Sequence, residues 1–423
     1  MTEEKHVLLI AYYWPPSGGA GVHRWLRFSN FFKENGCKLT VFCPEDAAWP
    51  EIDSALLEKV PDDVTVIRRK VFEPHKYLGN TAGTGFTEKS KPSLFKRFVT
   101  WVRGNMFIPD SRVFWIRPSV RYLSKHLKNH PEIKTIVSSG PPHSAHVIGL
   151  KLKKKFPKHR WVADFRDPWT QIDFYHNLNV GKRADKKQKA LEKECLQKAD
   201  EVVTISQNCA SGLEEISSRE VNVITNGYIF PEFDPKKVEL DSRFTISHFG
   251  TMPLARNPEV MWKALQSILK ETPSFAKHLR VNLIGVVDYN VIDSFKKYGL
   301  EQFVEVSPLV PHAKSIELQR KTQILLLSAN NSGNVKGILT GKFFEYLGAK
   351  RPILAIGAAD SDLARAVKHT QCGFLADFED HDGTEAFLRE SYQQFLNKNL
   401  YSTPVNTESF DSKNLTKDFI DLL

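Results

Sequence analysis

Cysteine and methionine are scarce in this chain of 423 residues, which has five of the first and four of the second. Cys37, Cys43, Cys195, Cys209 and Cys372 are odd in number, scattered and never in a Cys-x-x-Cys pair, so neither a disulfide framework nor a zinc site is indicated. No run of about 18 apolar residues occurs, and no membrane-spanning helix is expected. Fixed short repeats and low-complexity tracts are also missing. Met1-Thr2-Glu3-Glu4-Lys5-His6 is too acidic for a secretory leader and runs straight into the strand-like Val7-Leu8-Leu9-Ile10-Ala11. A reducing, cytoplasmic location is expected. With 41% hydrophobic, 26% charged and 11% aromatic residues, the balance is that of a folded chain rather than a disordered one, and the length predicts two or three domains.

The net charge of +10 is lopsided. Residues 1–230 hold 36 lysines and arginines against 25 acids, a net +11, whereas residues 231–423 hold 23 against 24. Within the first half, residues 89–160 carry 17 cations and two acids, Asp110 and Glu132, and include the run Lys151 to Arg160. Such a field implies an anionic partner. The stretch Leu94 to Phe107 interleaves Lys96, Arg97, Trp101 and Arg103 with further aromatics, the pattern of an interfacial helix on anionic lipid headgroups. No helix-turn-helix, zinc finger or RNA-binding motif accompanies the charge, so nucleic acid is not the expected partner.

Short β-branched apolar runs alternate with helix-length amphipathic stretches along the whole chain, which predicts an α/β protein with parallel sheets. Strands are expected at 7–12, 38–43, 65–68, 135–138, 161–164, 201–205 and 221–224 in the first half. The second half offers 244–249, 280–284, 303–306, 323–328 and 352–356. The turn-rich segment from Asn226 to Pro235 marks a boundary. The expected organisation is a Rossmann-like domain over 1–228 with a basic, mobile insertion at about 72–118 and a linker over 229–242. A second Rossmann-like domain follows over 243–405, and a final helix over 406–423 is placed to pack back on the first domain.

Four segments carry candidate chemistry. After the first strand comes Pro15-Pro16-Ser17-Gly18-Gly19, a glycine turn before a helix, where backbone amides can approach an anion. It is neither Gly-x-Gly-x-x-Gly nor a Walker loop. Asp164-Phe165-Arg166-Asp167-Pro168-Trp169 puts two carboxylates and a guanidinium at a strand's carboxyl end. Gly250-Thr251 to Arg256 is a second strand-to-helix loop, whose Arg can clamp a diphosphate with its planar fork. Finally, Thr340 or Gly341 opens a helix whose free amides and Lys342 suit phosphate, with Glu345 one turn further on for sugar or ribose hydroxyls. Asp360-Ser361-Asp362 is read as a helix cap rather than a metal motif.

Taken in order, together with Ser138-Ser139-Gly140-Pro141-Pro142, these segments resemble a GT-B glycosyltransferase of the family 4 type, over nearly the whole length. The likeness is nearest to bacterial enzymes of surface polysaccharide synthesis. It implies two Rossmann-like domains facing a central cleft and a nucleotide-sugar donor held mainly by the second. Arg256 and Lys342, beside Thr251, Thr340 and Gly341, would meet the diphosphate, Glu345 the ribose, and Gly18 and Gly19 the donor phosphates from the other side. Asp164, Arg166 and Asp167 would line the acceptor side, one carboxylate acting on the acceptor hydroxyl. The resemblance also implies retention of configuration, no metal or other cofactor, and a lipid-linked or glycan acceptor met at the cytoplasmic face of the membrane. Two departures stand out: Gly337 occupies the place of the first carboxylate of the family's Glu-x7-Glu pair, and Thr251 that of its loop Arg. A nucleotide-sugar 2-epimerase of the same fold, or a non-catalytic lipid- or nucleic-acid-binding protein on a degenerate transferase scaffold, are the competing readings.

Overall fold

The computed structural model describes residues 4–49, 51–73, 101–172, 175–331, 335–337 and 339–423. The chain divides into two compact units, 1–227 with 410–423, and 228–409.

The first unit is built on seven parallel strands: β1 (Lys5–Ala11), β2 (Cys37–Pro44), β3 (Thr65–Arg69), β4 (Ile133–Gly140), β5 (Arg160–Phe165), β6 (Glu201–Thr204) and β7 (Asn222–Val223). Their order is β3-β2-β1-β4-β5-β6-β7. The run Val7 to Ala11 is apolar at every position because β1 is covered on both faces. Leu8 and Ile10 meet helices α2 (Val113–Asn129) and α3 (Ser144–Lys155), whereas Val7 and Leu9 meet α1 (Ala20–Ser29). Helices α4 (Lys182–Lys198) and α5 (Gln207–Ser217) complete the crossovers. The last helix of the chain, Ser412–Asp421, belongs to this unit: Leu415, Phe419 and Ile420 enter the core on the α1 side, with Phe419 edge-on to Trp25 at 5.0 Å.

The second unit repeats the plan with six parallel strands: β8 (Phe244–Phe249), β9 (Leu279–Ile284), β10 (Val304–Ser307), β11 (Ile324–Ser328), β12 (Ile353–Ile356) and β13 (Gly373–Ala376). Their order is β10-β9-β8-β11-β12-β13. Between them run α6 (Glu259–Glu271), α7 (Tyr289–Lys297), α8 (His312–Lys321), α9 (Gly341–Ala349) and α10 (Asp362–Thr370), followed by α11 (His381–Leu396); the helix Ser412–Asp421 is then α12. In both units the first strand lies between the second and the fourth, so the crossovers change direction beside β1 and beside β8. Ligands of open parallel sheets bind at the carboxyl ends of the strands at such a switch point.

Two sequence expectations need correction. Strand β13 was not foreseen: it has four residues, begins at a glycine and buries only Ala376 fully, so it carries almost no apolar signal. Gly373 is required there, because a Cβ would lie 2.0 Å from the Ile353 carbonyl oxygen. The expected insertion at 72–118 also runs too far. From Val113 onward the chain is α2, and Trp115 and Ile116 are core residues. Of its remainder, 74–100 lies outside the described residues, and with it Lys96 and Arg97.

Candidate active site

In the first unit, β1 ends in the glycine turn. Ser17 N–H donates to the Trp14 carbonyl and Gly18 N–H to the Glu51 carbonyl, and Gly19 takes φ 78°, a conformation that favours glycine, just before α1. Helix α1 has no acid in its first turn. The Glu51 side chain, however, packs over the turn: a Cβ on Gly18 would lie 2.9 Å from Glu51 Cγ, and one on Gly19 3.5 Å from its carboxylate. The turn offered by sequence as a phosphate loop thus carries a negative charge of its own.

At the carboxyl end of β5, the charged cluster splits by depth. Asp164 is fully buried. Its carboxylate takes Arg24 Nε at 3.3 Å and Nη2 at 3.1 Å, Trp25 Nε1 at 2.9 Å and Ser139 Oγ at 2.8 Å. Arg24 in turn donates to the Thr225 carbonyl at 2.7 Å. Three of these donors fall on Oδ2 and one on Oδ1, and together they tie β4, β5 and α1 to the buried Asp164, the residue expected on the acceptor side. Arg166 is nearly buried and donates to the Gly21 carbonyl at 2.5 Å. Asp167 is the most accessible member: its side chain is 41% accessible and lies 3.7 Å from Arg166 Nε.

His143, which sequence reasoning did not single out, stacks face to face on Trp169 at 4.8 Å beside this cluster. Burial first, then the fields of His146 and Arg166, push its imidazole well below the usual range and keep it neutral. Of the other first-unit candidates, Trp101 is 47% exposed. Arg103 is an exposed cation within the field of Asp110 and Arg112.

The second unit gathers its candidates more closely. Gly250, at φ 120°, ends β8, and a Cβ there would come 3.6 Å from Lys342 Cε. Arg256 spans two loops: its Nη1 donates to the Thr251 carbonyl at 3.4 Å and its Nε to Asn330 Oδ1 at 2.6 Å, just after β11. Burial lowers its pKa, yet it stays a cation at neutral pH. Thr340 is the N-cap of α9 and contributes no side-chain cap bond; its Oγ1 is buried without a partner. Gly341 is open on its outer side. One turn in, Lys342 Nζ lies 3.1 Å from the Glu345 carboxylate, and His312 Nε2 approaches the same carboxylate at 3.5 Å.

The electrostatics there are unbalanced. Burial pushes the Glu345 carboxyl up, but hydrogen bonds from His312 and Lys342 and the charge of Lys342 more than offset it and hold the group at about 2. Deeper in β8, His248 is driven down to about 4, by burial first and also by the fields of Arg256 and Lys342. Two cations and a helix N-terminus with no acid in its first turn therefore converge on the carboxyl end of β8, with one carboxylate among them. The sequence named Thr251, Arg256, Thr340, Gly341, Lys342 and Glu345; the structure brings them together and adds His312 and Asn330. Neither addition had a sequence signal, since each arrives from a different strand-to-helix loop. Asp360-Ser361-Asp362 forms a cap, Ser361 Oγ accepting from Ala364 N–H and Asp362 pairing with Arg365 at 2.6 Å.

No protein-family model matches the chain, and no curated protein does so by sequence. Solved structures match along the full length. A glycosyltransferase from Rickettsia africae is 12% identical, with 99% of this chain and 97% of that one covered at a TM-score of 0.59. A TarM variant of S. aureus, in complex with fondaparinux, α-GlcNAc-glycerol and UDP, is 11% identical, with 99% of each chain covered at 0.59. The lipopolysaccharide outer core galactosyltransferase WaaB is 14% identical, with 99% of each covered at 0.58. At these identities the likeness is one of architecture, and it agrees with the two sheets described above: the chain has the GT-B fold, two Rossmann-like units in one polypeptide.

Proposed function

We propose that the chain is a glycosyltransferase that moves a sugar from a nucleotide-sugar donor to a glycan or lipid-linked acceptor in surface polysaccharide synthesis, with retention of configuration and without a metal. The observation that carries this reading is the cluster of Arg256, Lys342 and Glu345 around the N-terminus of α9 at the switch point of the second sheet. Cations and free amides stabilise a departing diphosphate without proton transfer, and they do so best when preorganised. Arg256 and Lys342 take the diphosphate, with Thr251, Thr340 and Gly341 supplying backbone contacts. Glu345, ionised at any physiological pH, accepts from ribose hydroxyls and gives up part of its hold on Lys342 when the diphosphate arrives.

On the acceptor side the roles pass to Arg166 and Asp167, since Asp164 is spent on Arg24. Asp167, whose side chain is the more accessible of the two carboxylates, orients an acceptor hydroxyl. Gly18 and Gly19 are better suited to sugar hydroxyls than to phosphate, because the Glu51 carboxylate lies over them. Among the described residues no helix is long and apolar enough to cross a membrane. The reading has the enzyme working at the cytoplasmic face, against anionic lipid through the stretch holding Lys96, Arg97, Trp101 and Arg103. Support from structures of like fold is general: the TarM structure holds fondaparinux, α-GlcNAc-glycerol and UDP.

The test is a thermal-shift panel of nucleoside diphosphates and nucleotide sugars, followed by a transfer assay with the donor that binds. One nucleotide family should raise the melting temperature, and Lys342→Ala should abolish the rise. No shift with any of them would overturn the donor site. Donor isomerised without an acceptor would replace transfer with epimerisation.

A further inference from the structure

Helices α2 and α3 lie side by side on one face of the first sheet, and between them runs an open groove of about 700 Å³. From α2 it is lined by Arg117, Arg121, Lys125 and Lys128, spaced four, four and three residues apart, so all lie on one face of the helix. From α3 come Lys151, Lys154 and Lys155. Val120 forms an apolar floor, and no carboxylate is among the described lining residues. Lys154 pairs with Glu194 at 2.5 Å and Lys155 reaches Ser124 Oγ at 3.4 Å. The other five cations have no carboxylate partner among the described residues. Cations one helical turn apart repel, and the arrangement is relieved by an anion lying between the walls.

The groove has a direction. Asp110, three residues before α2, accepts from Ser144 N–H and Oγ at 2.8 Å, which ties the start of α2 to the start of α3 at the carboxyl end of β4. Both helices then run toward the opposite edge of the sheet. From Arg117 to Lys128 the row extends about 16 Å. The track therefore leads away from the strand ends where Arg166 and Asp167 stand.

We propose that this groove binds an anionic glycan chain, the far part of the acceptor whose end is extended at the strand ends; this rests on the transferase reading above. Its shape selects that partner. A bilayer is planar and touches only the rims of a groove, whereas a linear chain is engaged by both walls. Grooves for single-stranded nucleic acid combine cations with stacking aromatics, and no aromatic ring is among the described lining residues. Carboxylate or phosphate groups along a glycan meet the cationic walls, and sugar faces rest on Val120 and the lysine stems.

The test compares the parent with the triple variant Arg121→Glu, Lys125→Glu, Lys151→Glu, whose positions are all exposed, after an unchanged melting temperature shows that the variant folds. A fluorescent oligogalacturonate, with one carboxylate per sugar, should bind the parent at low ionic strength and weaken as salt rises. The triple variant should lose at least about tenfold in affinity. Neutral maltooligosaccharide should not bind either protein, and Lys342→Ala should leave oligogalacturonate binding intact. In turnover, the triple variant should raise KM for an anionic acceptor about tenfold and keep kcat. No oligogalacturonate binding at low salt, or equal binding by the triple variant, overturns the proposal. So does a variant that loses only binding to phosphatidylglycerol vesicles, which would assign the face to a bilayer. Groove-dependent binding in a protein that binds no nucleotide sugar would overturn the transferase reading while leaving the groove.

Discussion

Two carboxylates near the switch points of the two sheets, Asp164 and Glu345, meet opposite fates. Asp164 is fully buried and held by four donors, with an arginine that also contacts a backbone carbonyl and the Phe28 ring. Glu345 is partly accessible, and beside a long contact from the buried Gln319 its partners are a lysine and a histidine on flexible, solvent-reaching side chains. The first arrangement is enclosed and ties neighbouring elements together. In the second, the cation paired with the carboxylate can be redirected to a ligand. Charge density alone did not separate them; depth and the identity of the partners did.

The largest effect separating the two should come from truncation. Asp164→Ala leaves Arg24 buried without its counter-charge and is expected to cost about 3–5 kcal/mol, read by denaturant unfolding. Glu345→Ala should change stability far less and act on donor affinity instead. Equal destabilisation by both would end the contrast. Phe419→Ala tests the same unit by packing: a fully buried ring lost from the α1 side should cost about 3–5 kcal/mol.

Next in size is the ligand effect. Lys342→Ala and Arg256→Ala each remove a charged hydrogen-bond donor, worth about 1.5–3 kcal/mol, so nucleoside diphosphate affinity should fall roughly 10- to 100-fold by calorimetry, with little change in melting temperature. Unaltered affinity in both would take the diphosphate away from this site.

A smaller effect is expected in acid. The folded-state pKa of Glu345, about 2, is below its ordinary value of 4.5. The carboxylate therefore contributes stability that is present above about pH 4.5 and is lost as pH falls toward 2. The stability difference between the parent and Glu345→Gln should shrink across that window, and a difference that stays constant would show that the pairs are not what depress the group. His248 works at a higher range: with a folded value of about 4 against 6.5, the unfolded chain binds more protons between those limits, so stability should rise from pH 4 to 6.5, less steeply in a His248→Asn variant that folds. The smallest expected change is Ser361→Ala, which removes the cap of α10 and should cost about 1 kcal/mol.

Much of this was legible in the sequence because it is local. Continuous apolar runs such as Val7 to Ala11 mark strands covered on both sides, and the spacing from Lys342 to Glu345 places both side chains on one face of a helix. Gly373 to Ala376 was not legible, since an edge strand buries too little to leave a pattern. Trp115 and Ile116 were assigned to an insertion because the basic residues around them outweighed the apolar stripe.

What the sequence determined by itself is the α/β alternation, the order of the strand-to-helix loops and the concentration of positive charge in the first half; each depends on neighbours within a few residues. Tertiary structure alone decided that Asp164 meets Arg24, 140 residues away, that His312 and Asn330 join Arg256, Lys342 and Glu345, and that Glu51 lies over Gly18. These pairings follow from which loops the sheet order brings to one edge, and burial and partner geometry, which set the role of a charge, exist only once that order is formed.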